Sequence, residues 1–472
     1  MRILPVSLAL LLSACALTPP LARPDPALPE AYADSPDAAG NAADLGWRQM
    51  FGDPRLQRLI TIALDNNRDL RIAMLNVDAV RAQYGIERSA LLPQLDARLS
   101  GGRERTAANG ASAASLQGTH AAGLAISAFE IDLFGRVRAL SDAALARYLA
   151  STEAARAARI SLIAAVADAY LEERLAIEQL RLTETTLADW RQSLDLARLL
   201  KDAKQNSGLD VAQAEGQVAL AEADLEGRKR DLKQARNALA LLLGTSAPSG
   251  LPGGLPEGLP EGLRLDKQPV LTSLPAGLPS DLLLRRPDIL QAEQALRAAN
   301  ADVGAARAAF FPRLALTATL GYASPALGSL FQGGQLAWGF TPQLIQPLFD
   351  NGRLESGLDL ARARRSTAVA EYEKSIQTAF REVADGLAAQ ATLSRQIEAQ
   401  QRAVSSAERR RELSSLRYRA GQDSRLELLD AQRQAYAAQQ TLLGLQRLAF
   451  RSAVSLYKAL GGGLQETTAA AT

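Results

Sequence analysis

The chain has 472 residues, with 53 Lys and Arg against 51 Asp and Glu interspersed along it, for a formal charge of +2. So balanced a surface offers nucleic acid nothing to hold. One histidine, His120, and one cysteine, Cys15, leave histidine metal sites, Ser–His or Cys–His nucleophile pairs and a disulfide framework without parts. The sequence calls for no catalytic residue, no metal and no cofactor.

In chain order, Met1-Arg2 is a short positive segment, Ile3 to Leu12 is mostly apolar, and Leu12-Ser13-Ala14-Cys15 closes it with small residues before the cysteine. Residues 1–14 read as a lipoprotein signal peptide, being too short for a spanning helix. Cys15 is the expected lipidation site, since a thiol just past the cleavage point accepts diacylglycerol. A plain signal peptide with a chance cysteine is the alternative. Ala16 stands where Asp would signal retention at the inner membrane, favouring the outer membrane of a Gram-negative envelope. No apolar run of about 18 residues follows, so no spanning helix is expected. An envelope chain without one is tethered or crosses as a β-barrel.

Proline divides the rest. Prolines crowd into 19–36 and 248–287, and are absent between Pro93 and Pro248 and after Pro347. Residues 15–52 read as a lipid-anchored tether, 245–278 as a Pro/Gly linker, and 462–472 as a tail. Between them the chain is written twice, as repeats 53–244 and 279–461. An offset of 219 pairs Asp69 with Asp288, Gly85 with Gly304, Arg88 with Arg307 and Pro93 with Pro312, with 10 identities in the 34 positions 69–102, against roughly three expected from composition. An offset of 217 then pairs Gly135-Arg136 with Gly352-Arg353 and Leu243-Gly244 with Leu460-Gly461.

Each repeat opens with a helical segment, 54–91 and 280–310, that stops at Pro93 or Pro312. A strand hairpin follows, at about 94–133 and 313–349. Leu314, Leu316, Ala318, Leu320 and Tyr322 alternate with Arg313, Ala315, Thr317, Thr319 and Gly321, and Leu336, Trp338 and Phe340 alternate with Ala337, Gly339 and Thr341. Period two with one apolar face fits strands between lipid and water. A soluble half-buried hairpin gives the same pattern. Trp338 and Phe340 are lipid-girdle or core candidates accordingly. Helical hairpins complete the repeats, at 136–244 and 352–461. Apolar residues recur at 3.5-residue spacing through Ile163, Val166, Tyr170, Ile177, Leu180, Leu187 and Leu194, interrupted by Glu173, Glu184 and Arg191, which is coiled-coil spacing. An arm of about 65 residues reaches roughly 95 Å. Four strands cannot close a barrel, so several chains must contribute, and three would supply twelve strands.

The run Leu278-Pro-Ser-Asp-Leu-Leu-Leu-Arg-Arg-Pro-Asp-Ile289, followed by Ala301-Asp-Val-Gly-Ala-Ala-Arg-Ala-Ala-Phe-Phe-Pro312, resembles the signature of TolC-like outer-membrane efflux proteins, in the lipoprotein branch that includes OprM and NodT. Glu130 to Arg136 and Pro347 to Arg353 are similar to that branch's strand–helix junctions. Arg417-Tyr-Arg-Ala-Gly421 and Leu426 to Gln432 are similar to its periplasmic tip. The resemblance implies a mainly α chain with β, in a homotrimer with a twelve-stranded barrel in outer-membrane lipid and a long periplasmic α-helical barrel. It also implies a passive exit duct for drugs or other small molecules, served by a periplasmic adaptor (membrane fusion protein) and an inner-membrane transporter of the RND type.

On that resemblance Leu426, Glu427 and Asp430 form the periplasmic gate. Leu426 and Asp430 lie four apart on one helix face, and in a trimer they would make apolar and carboxylate rings. A solvated helix start, where the helix dipole favours acids, is the alternative. Arg417, Arg419, Gly421, Ser207, Gly208 and Asp210 are the expected adaptor-docking tips. Lys204 stands where Gly421 would match, which leaves the first tip's shape open. Gly135, Arg136, Gly352 and Arg353 are expected as junction pins. The competing readings are a lipid-anchored periplasmic adaptor or structural coiled coil, the duct of an ATP-driven exporter, and a carboxylate enzyme, for which no motif is present.

Overall fold

The computed structural model describes residues 17–21, 24, 32, 41–106, 115–205, 207–244 and 255–468. The signal segment, Cys15 and part of the linker lie outside them. Two compact units emerge, one from residues 1–25, 75–152 and 291–374, the other from 26–74, 153–290 and 375–472.

Proline sets where the first helices begin and end. Helix α1 (Pro54–Asn66) starts with Pro54 in its first turn and Asp53 as its cap, and α2 (Arg68–Ser89) follows. The single expected segment 54–91 is thus two helices. The break is Asn67, whose backbone is extended at φ −60°, ψ 131°. Its side chain replaces the lost helical bonds, accepting from the Leu70 amide at 2.9 Å and donating to the Leu242 carbonyl at 2.9 Å. At the matching position, offset by 219, Arg286 precedes Pro287 and is also extended, at φ −81°, ψ 118°. Proline disfavours helical geometry in the residue before it. The expected 280–310 helix therefore splits into one turn, Leu282–Arg285, and α5 (Pro287–Ala308); α3 and α4 lie in the first helical hairpin, below.

Four strands, β1 (Leu95–Thr106), β2 (Ser115–Ile131), β3 (Arg313–Ser324) and β4 (Leu336–Ile345), make one antiparallel sheet in the order β1-β2-β3-β4. Directly opposed residues share a face, so the register fixes both faces. Leu95, Ala97 and Leu99 oppose Ile126, Leu124 and Ala122. These in turn oppose Ala318, Leu320 and Tyr322, which oppose Phe340, Trp338 and Leu336. One face is apolar across all four strands, and the large side chains just named on it are exposed apart from the half-buried Ile126. The other carries Asp96, Arg98, Thr319, Thr341 and Gln343.

Phe129 falls out of phase with Leu124 and Ile126 in the sequence, and a bulge explains it. Ile126 pairs with Ala318 but Phe129 with Leu316, so Ser127 and Ala128 together oppose Thr317. Ala128 takes φ 51° and its amide donates to the Thr317 hydroxyl at 3.2 Å. The extra residue returns Phe129 and Ile131 to the apolar face. At the β2–β3 seam Gly123 opposes Gly321, and a Cβ on Gly123 would lie 2.4 Å from the Leu320 carbonyl oxygen. The two backbones approach there as only glycine allows.

The helical hairpins are α3 (Arg136–Asp202) with α4 (Gly208–Leu243), and α6 (Arg353–Arg419) with α7 (Arg425–Ala459); α3 and α6 both have 67 residues. In the distal part of α3 the buried positions are Thr183, Leu187, Trp190, Leu194 and Ala197, alternating four and three apart. The seam therefore runs one residue before the expected Glu184 and Arg191, which are exposed. A helical turn of 3.6 residues drifts against a 3.5 repeat, and the phase slips between Leu180 and Thr183. Val211, Ala214, Val218 and Ala221 of α4 pack against this stripe, with Leu225 and Tyr436 beside it.

Buried ion pairs and hydrogen bonds tie the second unit together. Asp53 is fully buried and accepts from the Tyr170 hydroxyl at 2.6 Å, Gln268 Nε2 at 3.0 Å and the Arg55 amide at 2.8 Å. Burial, then the hydrogen bond to Asp53, raises the Tyr170 hydroxyl above the ordinary tyrosine range. Arg286 donates to Asp288 and Glu382, and to the Ala459 carbonyl at 2.9 Å, which caps the end of α7. Arg447 joins Asp168 at 2.8 Å and Glu172 at 3.1 Å. The proline-rich linker pairs with the segment before α1 through the bridges Asn41–Ala276 and Phe51–Val270.

Both hairpin turns end in the same backbone motif. Gly421 has φ 69°, and the Gly421 and Gln422 amides donate to the Tyr418 and Arg417 carbonyls at 3.0 and 2.9 Å. Lys204 has φ 59°, and the Lys204 and Gln205 amides donate to the Lys201 and Leu200 carbonyls at 2.9 and 2.8 Å. Lys204 thus accepts the left-handed geometry that Gly421 adopts freely, and the question its identity left open is answered. A left-handed L-residue costs about 1–2 kcal/mol, partly offset by the glycine chain's greater unfolded freedom. Lys204→Gly is therefore expected to stabilise its tip, and Gly421→Ala to destabilise the other, by about 1 kcal/mol each. Hydrogen exchange of the Gln205 and Gln422 amides measures both; shifts of the same sign in the two variants would contradict the shared motif.

Candidate functional site

The second tip is built from the end of α6 and the start of α7. Ser424 caps α7, its hydroxyl accepting from the Glu427 amide at 3.4 Å. This cap orients the first turn, from which Leu426 projects, 64% exposed. One turn on stands Asp430. Arg410, on α6, reaches across and joins both carboxylates, Glu427 at 2.7 Å and Asp430 at 2.8 Å. It also donates to Gln434 Oε1 at 2.6 Å, while Gln434 Nε2 donates to Asp430 at 3.0 Å. The hydrogen bonds to Glu427, then Asp430, hold the Arg410 guanidinium above its ordinary range.

The expected gate residues thus sit together, with a cation and an amide that sequence reasoning missed. Arg410 lies in the run Arg409-Arg410-Arg411, half-buried between two exposed neighbours, where no sequence spacing distinguishes it from them. Arg411 points elsewhere, to Asp189 on α3 at 3.2 Å. Arg417 pairs with Asp423 at 3.0 Å across the turn, and Arg419 is exposed beside it. A groove lined by Gln192, Leu196, Arg411, Leu416, Arg419 and Gln432 runs between α3, α6 and α7.

The first tip uses matching positions differently. Ser207 caps α4, and Asp210, which matches Glu427, turns back to accept from the Ser207 amide at 2.9 Å and hydroxyl at 2.7 Å. This is a reciprocal capping box, so the Asp210 carboxylate is occupied locally. Gly208 opens α4, where a Cβ would meet nothing within 4 Å.

At the strand–helix junctions Gly135 and Gly352 both have positive φ, 77° and 80°. Their arginines differ. Arg136 grips Glu130 through Nε at 2.9 Å and Nη2 at 2.6 Å, a bidentate pair. Arg353 is exposed and lies 3.9 Å from Asp350. There the pinning falls to Asp350, which accepts from the Gly352 and Leu354 amides at 3.2 and 2.8 Å.

Among the described residues no helix is long and apolar enough to cross a membrane, and no cluster of three or more His, Cys, Asp or Glu is arranged to hold a metal. A four-stranded sheet with an exposed apolar face and paired long helical hairpins defines the class: an envelope channel subunit of mixed β and α build. The family model described as outer membrane efflux protein matches residues 59–245 and 278–462, once per repeat. The chain belongs to the outer membrane efflux protein family, whose members are transport ducts of the Gram-negative outer membrane.

It is 45% identical over 468 residues to the probable efflux pump outer membrane protein TtgC of Pseudomonas putida, covering 98% of this chain and 95% of that one. It is 43% identical to the outer membrane protein OprJ of Pseudomonas aeruginosa, covering 97% and 95%. The open-state crystal structure of the Neisseria gonorrhoeae MtrE outer membrane channel superposes with a TM-score of 0.88 at 40% identity, covering 96% of this chain and 100% of that chain.

Acid rings favour cations, and Arg410 offsets two acids per chain. Arg410→Ala is expected to raise the channel's cation-to-anion permeability ratio by about twofold or more, read as the reversal potential across a bilayer under a KCl gradient. An unchanged reversal potential would place Glu427 and Asp430 away from the ion path.

Proposed function

We propose that three copies of this chain close into an outer-membrane exit duct, through which an inner-membrane pump expels drugs or other small molecules. The observation that carries this is the sheet. β1 and β4 end it with unpaired backbone edges, while its apolar face fits lipid. In hydrocarbon those edges must be paired, and β4 of one copy meeting β1 of the next satisfies them without new secondary structure. Twelve strands leave room for a channel, where a single copy of four leaves none.

Leu426 and Asp430 then face the pore as apolar and acidic rings, with Glu427 beside them and Arg410 as their counter-charge. The turns at Arg417, Arg419 and Gly421, and at Ser207, Gly208 and Asp210, are the surfaces offered to a periplasmic adaptor. An RND-type transporter is the proposed pump. Gly135 with Arg136, and Gly352 with Asp350 in place of Arg353, fix where sheet gives way to helix. Segments 15–52 and 245–278 form an equatorial belt, which the Asn41–Ala276 and Phe51–Val270 bridges support. Cys15 carries lipid that sorts the chain to the outer membrane.

Purified protein reconstituted in a planar bilayer is expected to run as a trimer and conduct. Deletion of the gene is expected to sensitise cells to a panel of drugs, metals and solvents. A trimer without conductance would overturn the duct. Replacing Cys15 by Ser, with an ordinary cleavage site supplied, is expected to lower outer-membrane delivery several-fold, since acyl chains supply the anchor, while the trimers that arrive still conduct. Fractionation followed by conductance separates these effects.

A further inference from the structure

The apolar face of the sheet has an upper limit, and what lies beyond it is basic. On β1 this face reads Leu95, Ala97, Leu99, Gly101, Arg103 and Arg105. The level of Leu99 passes through Ala122 to Tyr322 and Leu336. Tyr322 packs edge-on against Phe331, with ring centroids 5.6 Å apart. Aromatics with one polar end mark the membrane–water boundary. Arg103 stands four residues further toward the strand hairpin, about 13 Å along the strand and roughly 10 Å in height at the usual barrel tilt. That is headgroup depth.

The two arginines are exposed, and no ion pair joins either to another described residue. Gly118 opposes Arg103 and His120 opposes Gly101, so the neighbouring strand adds a further polar group on this face and no acid. Glu104, between the arginines, alternates to the other face. Nor can the rest of the rim neutralise them. Between Asp96 and Glu130 the only acid is Glu104, and between Asp302 and Asp350 there is none. A neighbouring copy brings the same two hairpins, with Glu104 as their one acid in these stretches.

We propose that Arg103 and Arg105, with His120 beside them, bind the phosphate groups of a phosphorylated glycolipid in the outer leaflet. Guanidinium groups match phosphate oxygens bidentately. Their stems can lie along the apolar wall while the charged heads meet the headgroup layer. The site would fix the depth and rotational contacts of the sheet in its leaflet. This inference rests on the outer-membrane duct reading.

The test uses the full-length protein purified in detergent, with native mass spectrometry counting retained lipid. Lipid A bearing its phosphates is compared with phosphate-free lipid A, with inorganic phosphate as competitor. The wild-type protein is expected to retain the phosphorylated form about tenfold better. Arg103→Gln/Arg105→Gln is expected to lose that preference, and Arg103→Lys/Arg105→Lys to keep part of it. Equal retention of the two lipids by wild type overturns the proposal, and needs no variant that must fold. Equal retention by wild type and the Gln variant overturns it too. Displacement by millimolar inorganic phosphate would make this a free-anion site and refute the lipid assignment. Conductance of the same preparation separates the readings: a conducting protein without lipid preference sinks the lipid site alone, and a non-conducting one sinks the duct.

Discussion

Everything about the sheet follows from one constraint: peptide N–H and C=O groups in hydrocarbon have no water to bond. Three of the sheet's seams are internal and satisfied, and the β2–β3 seam is the one that joins the two repeats. There Gly123 and Gly321 let the backbones close together, and the bulge at Ser127–Ala128 keeps β2 in phase over 17 residues. Without the bulge Phe129 and Ile131 would turn to the polar face, since a one-residue slip exchanges the faces. The outer edges of β1 and β4 remain. On the duct reading proposed above, they call for further copies of the chain, a need that no surface property of the helices would impose.

The duplicated halves share backbone conformations more faithfully than side chains. Asn67 and Arg286 break the first helix at matching positions by unlike means, an amide that replaces helical bonds and a proline that forbids them. Lys204 and Gly421 adopt one left-handed geometry with unlike ease. Where side chains diverged, roles diverged with them: Asp210 closes a capping box on its own helix, while Glu427 is drawn away to Arg410. One tip is self-contained, and the other carries the charge cluster.

Much of this was legible in the chain. Gly135 and Gly352, Pro93 and Pro312, and the two alternating hairpins announced a duplicated α/β unit because proline, glycine and period-two patterning act locally. The helix break at Asn67 escaped notice because Asn is an ordinary helix residue until its side chain finds Leu242, 175 positions away. The seam through Thr183 and Trp190 was missed by one residue because a polar Thr and a mismatched period conceal the phase. Arg410 was invisible for a different reason. Its partners lie 17 and 20 residues on, across a turn, where periodicity carries no information.

The distribution of ion pairs within the second unit separates what is fixed from what can move. Arg286 and Arg447 are buried, each bonded to two acids and a backbone carbonyl. Removing one partner of such a pair strands a buried charge, which is strongly destabilising. Arg410 is bound to as many acids but stays partly open to water, where exchange of partners costs less. A gate must hold one state by a margin small enough for a partner's differential binding to reverse it. On the reading proposed here, the belt around Asp53, Arg286 and Arg447 resists rearrangement while the Arg410 cluster permits it. The place where the chain changes state is then the place where its charges are paired but not buried.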